Sequence, residues 1–160
     1  MEKKAIYPGS FDPFTLGHLD IADRALTVFD HLFIAIGENS SKSALFSLNE
    51  REKQLKELFS NNSKVTIVTF DTLLVDLARE LETYTVIRGL RALSDFDVEF
   101  QMALVNRKLE PKFESIFFMT SDKFAFLSSS IIKEIACLNG RSLSDFVPLN
   151  IEKELKRKFQ

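Results

Sequence analysis

Tyr7-Pro8-Gly9-Ser10-Phe11-Asp12-Pro13-Phe14-Thr15-Leu16-Gly17-His18 is the stretch on which the reading of this chain turns. A β-rich run, Ala5-Ile6-Tyr7, enters it, and a run with helical spacing (Leu19, Ile21, Ala22, Ala25, Leu26, Phe29) leaves it. Between them stand prolines, glycines and small hydroxyl residues, with a histidine at the mouth of the helix. Gly9 and Ser10 permit close approach to the backbone, so a ligand is expected there. The helix that begins after Thr15 presents unpaired N–H groups and partial positive charge. A strand, turn and helix of this kind suit an anion, and a nucleotide phosphate is the ligand predicted.

Outward from this stretch, short β-rich runs alternate with helical patterns. Strands are predicted at Lys4–Tyr7, His31–Ile36, Val65–Phe70, Thr85–Ile87 and Ser115–Met119. They show little period-2 alternation, as strands buried on both faces do. Ser47-Leu48-Asn49-Glu50 is a capping box opening a helix over Glu50–Phe59. Asp71 or Thr72 caps Leu73–Leu81, and Ser94 caps Asp95–Leu109. A serine of Ser128-Ser129-Ser130 opens Ile131–Asn139, which stops at Gly140, and Asn150 caps Ile151–Phe159. This order predicts an α/β fold, a doubly wound parallel sheet of dinucleotide-binding (Rossmann-like) type. Ligands of such sheets bind beyond the carboxyl ends of the strands. The unusual polar residues fall there: Ser10 and His18, Lys42, Arg88 to Arg91, and Ser128 to Ser130.

Composition bounds the function. With 160 residues, 45% of them hydrophobic and 28% charged, residues 1–160 are expected to form one soluble domain. A net charge of -2 speaks against a general nucleic-acid surface, so any anion site is a local cluster of positive groups. The single cysteine, Cys137, leaves no intramolecular disulfide or cysteine zinc site and reads as a small, largely buried apolar residue. No apolar run is long enough to span a membrane and no signal-peptide h-region opens the chain, so the cytoplasm is the expected location.

Arg88-Gly89-Leu90-Arg91 ends a buried apolar strand, where a guanidinium needs a partner, and its spacing suits bidentate capture of phosphate. Asp95 and Glu99, four residues apart on the next helix, either steady Arg91 or accept a ribose hydroxyl. Lys42, alone an ordinary loop lysine, has the reach to touch a phosphate across the cleft. Asp12 is expected to brace its loop. The helix Phe96–Leu109 carries two apolar stripes (Phe96, Phe100, Ala103, Leu104; Val98, Met102, Val105, Leu109), which points to a homo-oligomer unless Ile151–Phe159 covers the second stripe.

The string Gly-Ser-Phe-Asp-Pro…Thr-x-Gly-His resembles the motif of the nucleotidylyltransferase superfamily, related to class I aminoacyl-tRNA synthetases. Together with Lys42, Arg88-Gly89-Leu90-Arg91…Asp95-Phe96…Glu99 and Ser128-Ser129-Ser130…Lys133-Glu134, it resembles the bacterial phosphopantetheine adenylyltransferases along the whole chain. That resemblance implies a hexamer that transfers AMP from ATP to 4′-phosphopantetheine with Mg²⁺ held mainly by the ATP phosphates. It implies His18 as transition-state stabiliser, and Ser10, Lys42, Leu74 and Arg88 as the phosphopantetheine contacts. Ser10, Phe11, His18, Gly89, Leu90, Arg91, Glu99, Phe124, Ala125, Phe126, Leu127, Ser128, Ser129 and Ser130 are implied for ATP. Ser10 stands where Thr is frequent and Leu74 where Met occurs; Thr120 and Phe124 replace Pro and Trp or Tyr on the adenine side. One rival is a related enzyme acting on nicotinamide mononucleotide or an alcohol phosphate, many of which carry His-x-Gly-His where this chain has Thr15-Leu16-Gly17-His18. The other is a non-catalytic nucleotide-binding module, for which an intact His18, Lys42, Arg88 and Arg91 set is superfluous.

Overall fold

The computed structural model describes residues 2–38, 44–138 and 142–159. Its elements run β1 (Lys4–Gly9), α1 (Leu16–Ala25), β2 (His31–Gly37), α2 (Leu48–Leu58), β3 (Val65–Phe70) and α3 (Leu74–Glu80). They continue through β4 (Thr85–Leu90), α4 (Leu93–Leu109), β5 (Glu114–Met119), α5 (Ser129–Cys137) and α6 (Leu149–Phe159). The five strands form one parallel sheet in the order β3-β2-β1-β4-β5, the doubly wound arrangement expected from the sequence.

The order reverses between β1 and β4, and a crevice opens there. β1 pairs with β2 along its whole length, but with β4 only at Ile6 opposite Val86. Pro8 lacks the N–H needed to carry the ladder further. Its carbonyl is taken instead by the Arg88 guanidinium at 3.0 Å. The sheet therefore splays at the carboxyl ends of the two strands whose loops carry the motif residues.

Alternate residues of β1 serve opposite faces, Ala5 and Tyr7 on one and Ile6 on the other. The first face is covered by apolar residues of α1, α2, α5 and α6, the second by those of α3. The central strands are buried on both faces as expected. The edge strands β3 and β5 are not: none of their residues is fully buried, and Met119 is 65% exposed.

Several predicted details need correction. α3 begins after Leu73 without a side-chain cap, so Asp71 and Thr72 do not cap, and α4 begins after Ala92, which places Ser94 within the helix instead of at its cap position. α6 starts before Asn150, whose amide nitrogen donates to the Gln54 carbonyl at 3.0 Å rather than capping. α5 starts two residues earlier than predicted and ends at Cys137; the predicted stop at Gly140 lies outside the described residues. Cys137 is exposed, not buried. A short 3₁₀ turn, Asp122–Phe124, adds to the predicted elements. α6 packs on α2 and α5 instead of over α4. Both apolar stripes of α4 stay open, with Phe100 47% and Met102 51% exposed.

Candidate active site

The loop between β1 and α1 is held from every side. The Asp12 carboxylate, 6% exposed, accepts from the N–H groups of Leu45 and Phe46, both at 2.9 Å, and pairs with Lys133 Nζ at 3.1 Å. This is the brace expected of it. Ser129 Oγ donates to the Pro13 carbonyl at 2.8 Å, and Leu16 N–H to the Phe146 carbonyl at 2.8 Å. From α2, the guanidinium of Arg51 reaches the carbonyls of Ser10 at 2.7 Å and Gly37 at 3.2 Å.

Gly9 has a second reason beside the one expected. It borders the cavity, and a Cβ on it would also lie 2.8 Å from Cε1 and Cζ of Phe11, so the missing side chain makes room for that ring. Phe11 itself has φ 49°, left-handed for a residue with a Cβ, and its ring packs on Tyr7, Phe14 and His18 at centroid distances of 5.2 to 5.3 Å. Gly17 and Gly89 differ: a Cβ there would meet nothing closer than 3.4 Å, and both border the cavity. Glycine at those two positions widens the space left for a ligand.

The His18 imidazole is oriented by a capping box. Thr15 is the N-cap of α1; its hydroxyl accepts from His18 N–H at 3.3 Å, and its own N–H donates to His18 Nδ1 at 2.9 Å. A glutamate or glutamine ordinarily fills that third helical position. With Nδ1 accepting, the proton of the neutral ring resides on Nε2. Burial, then the positive charges of Arg91 and Arg88, lower the His18 pKa to about 4. At neutral pH the cavity is thus offered an uncharged N–H donor of fixed tautomer.

Across the crevice, Arg88 and Arg91 each meet a carboxylate from α4. Arg88 Nε and Nη2 donate to Glu99 at 2.6 and 2.5 Å. Arg91 Nε and Nη2 donate to Asp95 at 3.1 and 3.2 Å, and Nη1 to the Leu127 carbonyl at 3.2 Å. Burial raises the Asp95 carboxyl, but its hydrogen bonds from Arg91 outweigh this and hold it below its ordinary value. Of the two roles open to Asp95 and Glu99, steadying an arginine is the one the geometry displays, with Glu99 steadying Arg88. Burial pushes the Tyr7 phenol far up, so it stays protonated on the cavity wall.

These groups enclose a cavity of about 450 Å³. It is bordered by Ser10, Phe11 and His18 from the first loop, and by Arg88, Gly89, Arg91 and Glu99 from β4 and α4. Phe124, Leu127 and the three serines close it, with Thr120 beside them. Ser128 Oγ accepts from Ile131 N–H at 3.2 Å, and Ser129 Oγ is spent on Pro13, so Ser130 has the hydroxyl not used in those bonds. Leu90 is buried beneath the wall, Ala125 and Phe126 lie exposed outside it, and Leu74 begins α3 away from it. Lys42 lies outside the described residues. Among the described residues no group of three or more His, Cys, Asp or Glu is placed to hold a metal ion, and no helix is long and apolar enough to cross a membrane.

Sequence reasoning passes over Arg51 and the bond between Thr15 and His18. Arg51 shares the stripe Leu48, Arg51, Leu55, Leu58 of an amphipathic helix, and a charge on a buried stripe signals a polar structural task. Nothing in residue types alone distinguishes a histidine at the third helical position that caps from one that does not.

Residues 6–135 match the cytidylyltransferase-like family model. The phosphopantetheine adenylyltransferase of Caldanaerobacter subterraneus subsp. tengcongensis is 50% identical over 156 residues, covering 98% of this chain and 97% of that protein. The one from Geobacter metallireducens is 47% identical, covering 98% and 96%. Among solved structures, a putative nicotinate-nucleotide adenylyltransferase from Vibrio parahaemolyticus superposes with a TM-score of 0.72 at 18% identity, covering 98% of this chain and 99% of that one. The Plasmodium falciparum nicotinic acid mononucleotide adenylyltransferase complexed with NaAD gives 0.69 at 20% identity, covering 98% and 96%. At that identity the likeness speaks for the fold alone. The full-length kinship at 47–50% identity and the assembled loop, histidine and arginines agree: this chain belongs to the phosphopantetheine adenylyltransferase family.

Proposed function

We propose that the protein transfers the adenylyl group of ATP to 4′-phosphopantetheine, forming dephospho-coenzyme A and pyrophosphate, a step of coenzyme A synthesis. The observation that carries this reading is His18, its Nδ1 held by the Thr15 N–H, lining one cavity with Arg88 and Arg91 in a chain whose near relatives are so named. The acceptor phosphate is already anionic, so its oxygen attacks the α-phosphorus in line and the P–O bond to pyrophosphate breaks, with no general base. Positioning and charge stabilisation then supply the rate. His18 donates to the α-phosphoryl oxygen as charge develops on it. Arg88 and Lys42 hold the acceptor phosphate beside Ser10, and Leu74, outside the cavity, meets the pantetheine arm; Arg91 and the N-terminal end of α5 hold the phosphates of ATP.

Mg²⁺ is proposed to arrive on those phosphates. The carboxylates that border the cavity, Asp95 and Glu99, are each engaged by an arginine, so the described residues build no cage of their own for a cation. A cytoplasmic homohexamer is proposed as well, supported by family membership and by the open apolar faces of α4. The second reading, adenylylation of nicotinamide or nicotinate mononucleotide, is favoured only by the names of the distant structural neighbours. Pyrophosphate release from ATP, measured separately with phosphopantetheine, nicotinamide mononucleotide and glycerol 3-phosphate, tests the proposal. Release with phosphopantetheine alone is expected; release only with either of the others overturns it.

A further inference from the structure

Arg51 is 2% exposed, and its guanidinium fork ties the ends of β1 and β2 to the segment that leads into α2. Nε donates to the Phe46 carbonyl at 3.1 Å, and Nη1 to those of Ser10 at 2.7 Å and Gly37 at 3.2 Å. The bond to Ser10 is the shortest, and it falls on the peptide group that precedes Phe11. The φ angle of Phe11, 49°, is a rotation of that peptide group. A left-handed conformation costs a residue with a Cβ roughly 1–2 kcal/mol, so something must hold the peptide there. Arg51 grips its oxygen.

The grip has a second effect. The Ser10–Phe11 peptide is trans, so its N–H points opposite to its C=O. The oxygen is directed at Arg51, which lies outside the cavity wall, whereas Ser10 and Phe11 belong to the wall. Phe11 is only 2% exposed and its ring is packed against Tyr7, Phe14 and His18, so what it presents to a ligand is backbone. Its N–H donates to no acceptor among the described residues. A nearly buried N–H without a protein partner costs free energy that a bound anion would recover.

We propose that Arg51 is a positioning residue for nucleotide binding: by holding the Ser10 carbonyl it turns the Phe11 N–H into the cavity as a donor to a phosphate oxygen. The inference rests on the reading that this cavity takes ATP. ATP is titrated, without acceptor, into the full-length wild-type protein and Arg51→Lys, each labelled with ¹⁵N-phenylalanine, and the Phe11 amide resonance is followed. Melting temperature, the KM for ATP and kcat are measured alongside.

In the wild type the Phe11 amide proton moves downfield as ATP saturates. Lysine keeps the charge but not the fork, so in Arg51→Lys that shift is lost and the KM for ATP rises roughly 10- to 100-fold, the scale of one hydrogen bond to a charged group. Turnover at saturating ATP changes less than about threefold, because the contact holds ground state and transition state alike. A lowered melting temperature with unchanged KM and an unchanged Phe11 response reduces Arg51 to a structural residue and overturns the proposal. Should Arg51→Lys not fold, the wild-type titration still decides: an unmoved Phe11 amide in a protein that binds ATP defeats this inference alone. A wild-type protein that does not bind ATP defeats the reading of the cavity with it.

Discussion

Gly9→Ala separates two reasons for a glycine at the head of the motif. The added Cβ would sit 2.8 Å from two ring carbons of Phe11 and 3.2 Å from a third, well inside ordinary contact. The ring has little room to retreat, since Tyr7, Phe14 and His18 stand around it at 5.2 to 5.3 Å between centroids. Overpacking of this kind costs about 1–3 kcal/mol. For a chain of this length that is about 3–10 °C in melting temperature, measured at fixed protomer concentration. Because the displaced ring presses on His18, turnover falls too. Shrinking the ring should undo part of the damage: Gly9→Ala/Phe11→Leu is expected to be more stable than the sum of the single changes allows. If Gly9→Ala melts like the wild type and merely loses ATP affinity, the glycine serves the ligand and not the Phe11 ring.

His18→Ala should leave ATP binding nearly intact and lower kcat by roughly 10²–10³, the cost of one oxyanion donor; near wild-type turnover would remove its assigned role. The His18 pKa is depressed from 6.5 to about 4 on folding, so between those values the unfolded chain takes up a proton that the folded protein refuses. Its contribution to stability is therefore complete above about pH 6.5, declines as the pH falls toward 4 and stays lost below it, so urea stabilities of wild type and His18→Asn should run parallel above about pH 6.5 and diverge as the pH falls through that window. Arg88→Ala should raise the KM for phosphopantetheine at least about tenfold and strand the Glu99 carboxylate; adding Glu99→Gln should restore stability without restoring the KM, and recovery of both would make Arg88 structural. Light scattering should find an oligomer that Met102→Glu breaks; a monomeric wild type at micromolar concentration contradicts that assembly.

All five strands are legible because each is a short β-rich run bounded by turn residues, and the alternation with helices dictates a parallel sheet. Burial at the sheet edges is not legible: Val65–Phe70 and Glu114–Met119 look as apolar as the central strands, and only their place in the sheet order leaves them half-open. Caps read correctly where the capping box is local, at Ser47, and misread at Asn150, whose amide is drawn off by Gln54 on another helix. The same division runs through the site. The motif from Tyr7 to His18 announces a ligand loop, but the second reason for Gly9 depends on where the Phe11 ring falls. The pairing of Arg88 with Glu99 depends on how α4 lies against β4, which sequence spacing does not specify.

The most direct test of the central claim follows the α-phosphorus itself. ATP labelled at that atom is incubated with the protein and either 4′-phosphopantetheine or pantetheine, which lacks the acceptor phosphate. Attack by the acceptor phosphate predicts that the label passes quantitatively into dephospho-coenzyme A with the first and stays in ATP with the second. An adenylylated product from pantetheine, or no transfer to phosphopantetheine under conditions where ATP binds, would contradict it.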